Sequence, residues 1–332
     1  MQIRGLRCLV TGGAGFIGSH LVDRLVANDN KVEVLDNLSN GSLGNLSAGL
    51  AEGNCVHHPG DIADTAFVDA LVAEVDVVFH LACLGVRHSL AHRFENCRVN
   101  AEGTLCVLEA CLRHKVDRVL FCSSSEVYGT ADYVPMPESH PTHPCTLYGA
   151  SKLAGEAYAR AYSRSYGLPV VIVRPFNSYG PRSHFSGDAA ELIPRSIARA
   201  LVGQDLVVFG DGSQTRDFTY VADTADALLY AAENDRLIGK TSNVGSGFEI
   251  SVLAVAEKVM ELVENSESKI AHIAQRPGDV LRLYADNSFY REMDGPEPVV
   301  GFADGMRRTV DWFSKMHTDA PELFHHEPDR NW

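Results

Sequence analysis

No stretch of this 332-residue chain approaches the ~18 consecutive apolar residues that a membrane span requires. The first residues already read as a strand, so neither a span nor a signal peptide is expected. Positive charge is short as well: 29 Lys and Arg stand against 43 Asp and Glu, a net charge of −14. That argues against nucleic acid or an anionic membrane as a general partner. An anionic ligand stays possible where local Arg side chains and backbone N–H groups meet it. The eight cysteines include no C-x-x-C pair, and several fall inside apolar runs. Reduced core thiols in a cytoplasmic protein are the expectation. No metal-ligand set is read either; His325-His326 is taken as an exposed pair in a polar, acidic tail that begins at His317 and is given no structure. Repeats and low-complexity segments are absent. What is there is an ordinary globular composition, 45% hydrophobic and 22% charged, long enough for one large domain or two.

Short apolar runs alternate with helical patterns through the first half. Strands are expected at Cys8–Val10, Val32–Asp36, Cys55–His58, Val77–Leu81, Val119–Cys122 and Val170–Arg174. Helices are expected near Thr65–Ala73, Glu95–His114 and Leu147–Tyr166. This rhythm predicts an α/β fold, a Rossmann-type doubly wound parallel sheet. After Pro175 the rhythm changes, with short runs at Leu206–Phe209 and Phe218–Val221 and a helix over Val252–Val263. Thr241–Val244 reads as a strand returning to the main sheet. The expected division is a dinucleotide-binding domain over 1–175 plus about 219–247, and a smaller, mostly C-terminal α/β domain over 176–218 and 248–332.

Thr11-Gly12-Gly13-Ala14-Gly15-Phe16-Ile17-Gly18 lies between the first strand and a helical pattern with Leu21, Val22, Leu25 and Val26. Glycines at 12, 15 and 18 permit the tight turn and let backbone approach a pyrophosphate, which then sits at a helix N-terminus. Asp36 ends the second strand 18 residues after Gly18, close to the ~20 expected of the acid that accepts ribose hydroxyls. A carboxylate there repels a 2′-phosphate, so NAD is expected rather than NADP.

Tyr148 and Lys152 are four apart on one helical face. An ammonium beside a phenol favours the phenolate, so a lowered Tyr148 pKa is expected and Tyr148 becomes a candidate base. Ser123-Ser124-Ser125-Glu126 begins where the strand Val119–Cys122 ends, the end at which open α/β sheets bind ligands. A hydroxyl there can hold the hydroxyl being oxidised.

Taken with Gly60-Asp61-Ile62, His80-Leu81-Ala82, Asn100 with Gly103-Thr104, Ser123–Gly129, Arg174-Pro175-Phe176-Asn177 and Arg216-Asp217-Phe218, these motifs resemble the extended short-chain dehydrogenase/reductases, in their nucleotide-sugar epimerase/dehydratase group. The resemblance runs along nearly the whole chain. It implies that Asp61 and Ile62 approach the adenine, that Leu81 and Ala82 line the nicotinamide side, and that Lys152 also holds the nicotinamide ribose. Phe16, Ile17, Asn37 and Asn100 join the same cofactor-side set. On the substrate side it implies that Asn177 holds the diphosphate side, that Leu192-Ile193-Pro194 border the base, and that Arg216, Arg276 and Asp279 grip diphosphate and ribose. It further implies bound NAD, a UDP-, dTDP- or GDP-linked sugar oxidised at C4, and a homodimer through two helices per subunit. Because both Tyr148 and Lys152 are kept, turnover is expected rather than cofactor binding alone.

The second chemical step divides the group. Glu126 occupies the position that 4,6-dehydratases use for the carboxylate acting at C5. Ser125 stands where many of them have Asp, as it does in some dehydratases and in nucleotide-uronate decarboxylases. Gly85-Val86-Arg87-His88-Ser89 is similar to a segment of uronate 4-epimerases, and Arg87 is a candidate substrate contact. Elimination is the leading expectation, 4-epimerisation the second and decarboxylation the third.

Overall fold

The structure, a computed structural model, describes residues 1–264, 267–275, 280–325 and 327–329. Its first half runs β1 (Arg7–Thr11), α1 (Phe16–Ala27), β2 (Lys31–Asp36), α2 (Ser47–Glu52), β3 (Cys55–Pro59), α3 (Thr65–Val72) and β4 (Val77–His80). Then come α4 (Val86–Ala91), α5 (Arg93–Cys97), α6 (Thr104–His114), β5 (Arg118–Cys122), α7 (Leu147–Tyr166) and β6 (Val170–Pro175). The second half adds β7 (Asn177–Tyr179), α8 (Leu192–Leu201), β8 (Leu206–Phe209), β9 (Thr215–Tyr220), α9 (Val221–Glu233) and β10 (Thr241–Val244). It closes with β11 (Glu249–Ser251), α10 (Val252–Leu262), β12 (Ile270–Ile273), β13 (Arg282–Leu283), α11 (Ser288–Glu292) and α12 (Phe302–Asp319).

Seven strands form one parallel sheet in the order β10-β6-β5-β4-β1-β2-β3, so Thr241–Val244 does return to the main sheet. Successive side chains point to opposite faces, and both faces are covered, which is why the strands read as unbroken apolar runs. Cys8, Val10, Phe79, Leu120 and Val171 pack under α1 and α9. Leu9, Val78, Val119, Phe121 and Ile172 pack under α3, α6 and α7. A further core joins α8, α10 and α12 to β7, β8 and β9 through Tyr179, Ile197, Val208, Phe218, Val255 and Phe313. Among the described residues no helix is long and apolar enough to cross a membrane.

Two expectations are corrected here. Glu95–His114 is not one α-helix: α5 ends at Cys97, and Arg98–Gly103 forms a π turn before α6. The wider turn carries Asn100, whose amide is turned inward and spent on the chain around Leu84. The tail also has structure. α12 continues through Asp319, and residues 327–329 dock on α8. Arg195 and Arg199 of α8 are nearly buried and need oxygen partners. The carbonyl of Pro328 accepts from Arg195, and Asp329 Oδ1 pairs with Arg199 Nη2 at 2.8 Å. Gln204 exchanges two hydrogen bonds with the Glu327 backbone, at 2.6 and 3.0 Å.

Candidate active site

The carboxyl ends of the parallel strands open into a cavity of about 460 Å³. Its floor is the turn from β1 into α1. Gly12 has φ +71°, and a Cβ there would lie 2.7 Å from the Ala82 nitrogen, so only glycine lets this turn touch the chain after β4. Gly12, Gly15, Phe16, Ile17 and Gly18 all line the cavity. No side chain caps the N-terminus of α1, which leaves its first N–H groups and its dipole for an anion.

Asp36 closes β2 with each carboxylate oxygen holding one partner. The Ala14 N–H donates to Oδ2 at 2.9 Å and the Leu38 N–H to Oδ1 at 2.8 Å. An ionised carboxylate can accept about four hydrogen bonds, so each oxygen keeps room for a ribose hydroxyl. Asn37 donates to Asp61 at 3.3 Å, and Asp61 accepts from the Ala63 N–H at 2.8 Å. Asn37, Asp61 and Ile62 lie on the same wall as Asp36. This uncapped helix, close-approach glycine and acidic strand end fit NAD.

Leu81 and Ala82 line the next part, and a buried chain of hydrogen bonds fixes them. Thr104 donates to the Asn100 carbonyl at 2.7 Å, so its oxygen accepts from His80 Nε2 at 2.9 Å. His80 Nδ1 then accepts from Thr11 at 2.7 Å, and Thr11 accepts from the Ala82 N–H at 3.2 Å. Every donor in this chain points the same way, which sets the neutral tautomer of His80. Burial, aided by the Lys152 charge, drops its pKa to about 3. Asn100 does not line the cavity. It holds the Leu84 backbone from behind, accepting from its N–H at 2.8 Å and donating to its carbonyl at 2.9 Å.

α7 starts at Thr146, whose hydroxyl accepts from the Gly149 N–H at 3.1 Å. This cap puts Tyr148 in the first turn and Lys152 one turn later, both on the cavity wall. A Cβ on Gly149 would lie 2.4 Å from the Glu126 carbonyl, so glycine lets α7 press against the turn Ser125–Val127. That contact brings Ser124, Ser125 and Glu126 into the cavity with Tyr148. The Lys152 ammonium stands 4.7 Å over the Phe121 ring. The expected lowering of Tyr148 is overturned: burial pushes its pKa up, the Cys83, Cys122 and Glu126 charges add to this, and the hydrogen bond with Ser124 opposes it. Burial costs the phenolate more than its neighbours return. Behind the loop, Glu156 accepts from Ser123 at 2.6 Å and from Arg174 at 2.6 and 2.7 Å. Burial works against that carboxylate, but Arg174, Ser123 and Arg160 hold its pKa below the usual range.

Arg87, Asn177, Leu192 and Arg216 line the opposite side. Asn177 lines the cavity, and its Oδ1 is buried without a hydrogen-bond partner. Arg216 is anchored on its own β9 through the Thr215 carbonyl at 2.8 Å. Asp217 beside it accepts from Ser246, Gly247 and Ala285, which ties the loop after β10 to β9. Arg276 and Asp279 lie outside the described residues. The sequence reading missed Arg195 and Arg199, which also line this wall. It missed as well that His88, His92 and Glu95 gather at the rim, although their i, i+4, i+7 spacing is visible in the sequence.

Comparison with known proteins gives a consistent picture. The model of the NAD-dependent epimerase/dehydratase family matches residues 8–245. A putative UDP-glucose 4-epimerase of Methanocaldococcus jannaschii is 36% identical, over 92% of this chain and 97% of that protein. A UDP-N-acetyl-alpha-D-glucosaminuronate decarboxylase of Bacillus cytotoxicus is 38% identical, over 94% of this chain and 99% of that protein. Among solved structures, the DesIV dTDP-glucose 4,6-dehydratase of Streptomyces venezuelae, with NAD and TYD bound, is similar with a TM-score of 0.89 at 33% identity, over 94% of this chain and 98% of that one.

Proposed function

The chain belongs to the NAD-dependent epimerase/dehydratase family, and on that premise we propose that it is a nucleotide-hexose 4,6-dehydratase, acting through a 4-keto sugar. The observation that carries this reading is Glu126, a carboxylate sharing one cavity with Tyr148 and close enough to raise its pKa. A charge beside a reacting sugar is costly to desolvate without a role. A base at C5 is such a role, because a C4 ketone acidifies the C5 proton.

NAD, when bound along Gly12–Gly18 and Asp36, supplies reversible hydride exchange and a cationic ring that favours the Tyr148 phenolate. Tyr148 takes the proton of the C4 hydroxyl, which Ser124 orients. Lys152 stabilises the phenolate from the next turn. Glu126 removes the C5 proton. With Ser125 unable to act as an acid, the same carboxyl group protonates the departing C6 oxygen as water, leaving a C5=C6 double bond. The hydride taken from C4, returned at C6, and a proton at C5 then complete a methyl group, so the net loss is one water. On the substrate side, the Arg216 guanidinium and the amide nitrogen of Asn177, both donors, suit a diphosphate, and Leu192 a base. The related proteins act, by their names, on UDP- or dTDP-linked sugars, which supports a nucleoside diphosphate hexose as substrate.

A 4-epimerase is the second reading, favoured by Gly85–Ser89, which is similar to a segment of uronate 4-epimerases, and by the likeness to named epimerases. Incubating the protein in deuterium oxide with a panel of UDP-, dTDP- and GDP-sugars tests both. Elimination gives a C6 methyl group and deuterium at C5. A product inverted at C4, with C5 still protonated and C6 still bearing oxygen, selects the epimerase instead. Carbon dioxide from a uronate would select decarboxylation.

A further inference from the structure

α4 and α5 meet at His92, and the bend turns three side chains toward one point. One ligand atom each from His88, His92 and Glu95 lies within 4.8 Å of the others. His88 Nε2 is 3.5 Å from Glu95 Oε2. The two imidazole rings stack with centroids 4.7 Å apart and planes 30° from parallel. His88 Nδ1 is buried with no hydrogen-bond partner, so Nε2 is the nitrogen presented to the carboxylate. An ion pair and a ring stack account for the contacts, but neither needs all three groups to converge.

We propose that His88, His92 and Glu95 form a three-ligand site for a borderline divalent cation of the zinc type. Two neutral imidazoles and one carboxylate are a donor set that zinc takes at about 2.0–2.2 Å, with the ligand atoms then about 3.4 Å apart in a tetrahedron. His92 and Glu95 are exposed and free to close the remaining gap by side-chain rotation, while the mostly buried His88 anchors the site. Three protein ligands leave a fourth position. His88 and Glu95 line the substrate cavity, so that position opens toward the sugar rather than into the protein core. His92 lies just past the end of α4, at φ −113° and ψ 64°, so the bend and not a shared helical face sets its imidazole beside that of His88.

The test is calorimetric titration of chelator-stripped protein with zinc chloride, repeated with His92→Ala and Glu95→Gln, and a cobalt chloride titration read by visible absorption. The expected result is one site per chain at about 10 μM or tighter, weakened about tenfold or more in each variant, with no thiolate-to-cobalt band. Circular dichroism of both variants should match the wild type, so that lost binding is not lost folding. Three results overturn the site: no saturable binding up to about 100 μM, equal binding in wild type and variants, or a thiolate band. The last would assign the metal to exposed Cys83, Cys97 or Cys145.

Discussion

Acid should weaken this protein through His80, by an amount that can be worked out. The ring is buried between Thr11 and Thr104, and burial with the Lys152 charge takes its pKa from 6.5 to about 3. In the unfolded chain it returns to about 6.5. Between those values the unfolded chain binds a proton that the folded protein refuses. Stability therefore rises with pH across that window and is lost as pH falls through it. From pH 7 to pH 5, His80 alone accounts for about 2 kcal/mol, taking about 1.36 kcal/mol per pH unit. His20, half-buried and lowered by desolvation to about 4, adds a loss of the same sign, but it is common to wild type and variant and cancels in their difference. His80→Gln removes the titrating ring and keeps a donor and an acceptor. Urea unfolding at pH 7 and pH 5 should show the wild type losing about 2 kcal/mol more than the variant, at unchanged m. In labelled-histidine NMR the His80 ring should stay neutral at pH 5. Equal losses in the two proteins, or a His80 signal titrating near pH 6.5, would refute the reasoning. Since Thr11 passes the His80 contact on to the Ala82 N–H, the variant should also bind NAD more weakly by calorimetry.

Tyr148→Phe keeps the ring and removes the proton acceptor, so kcat should fall about 100-fold or more with NAD affinity little changed. Lys152→Met should damage both, and near-normal turnover in Tyr148→Phe would contradict the assignment. Asp36→Arg removes the ribose acceptor and introduces a phosphate partner; fluorescence titration should show NAD weakened about tenfold or more and NADP improved. Phe94, Leu105, Leu147 and Tyr166 are exposed on α5, α6 and α7, so light scattering at micromolar concentration should give a homodimer, and a monomer would remove that part of the reading.

Much of the architecture was legible because its signals are local. Unbroken apolar runs such as Val170–Val173 mark strands covered on both faces, and the glycines after β1 mark a turn that only small residues fit. The same locality brought Tyr148, Lys152 and Ser124–Glu126 to notice, because strand ends in such sheets converge on one crevice. What stayed hidden depends on tertiary partners. The tail reads as polar chain, yet Arg195 and Arg199 are buried on α8 and draw its carbonyls in. The Tyr148 pKa runs opposite to the spacing argument because burial, which spacing does not reveal, together with the Cys83, Cys122 and Glu126 charges outweighs the hydrogen bond with Ser124. Asn100 carries a motif position but faces away from the cavity, because the π turn directs its amide to Leu84. The His88, His92 and Glu95 spacing was visible, while the bend that joins them was not.

Glu126→Gln, incubated in deuterium oxide with an accepted nucleotide sugar and followed by NMR, tests the central claim most directly. The side chain keeps its size and loses its basicity, while Tyr148, Ser124 and Lys152 are untouched. The account predicts that oxidation at C4 survives and elimination stops, so a 4-keto sugar with its C6 oxygen in place and no deuterium at C5 accumulates. A variant that makes the wild-type product at a rate within a few-fold of normal would contradict it.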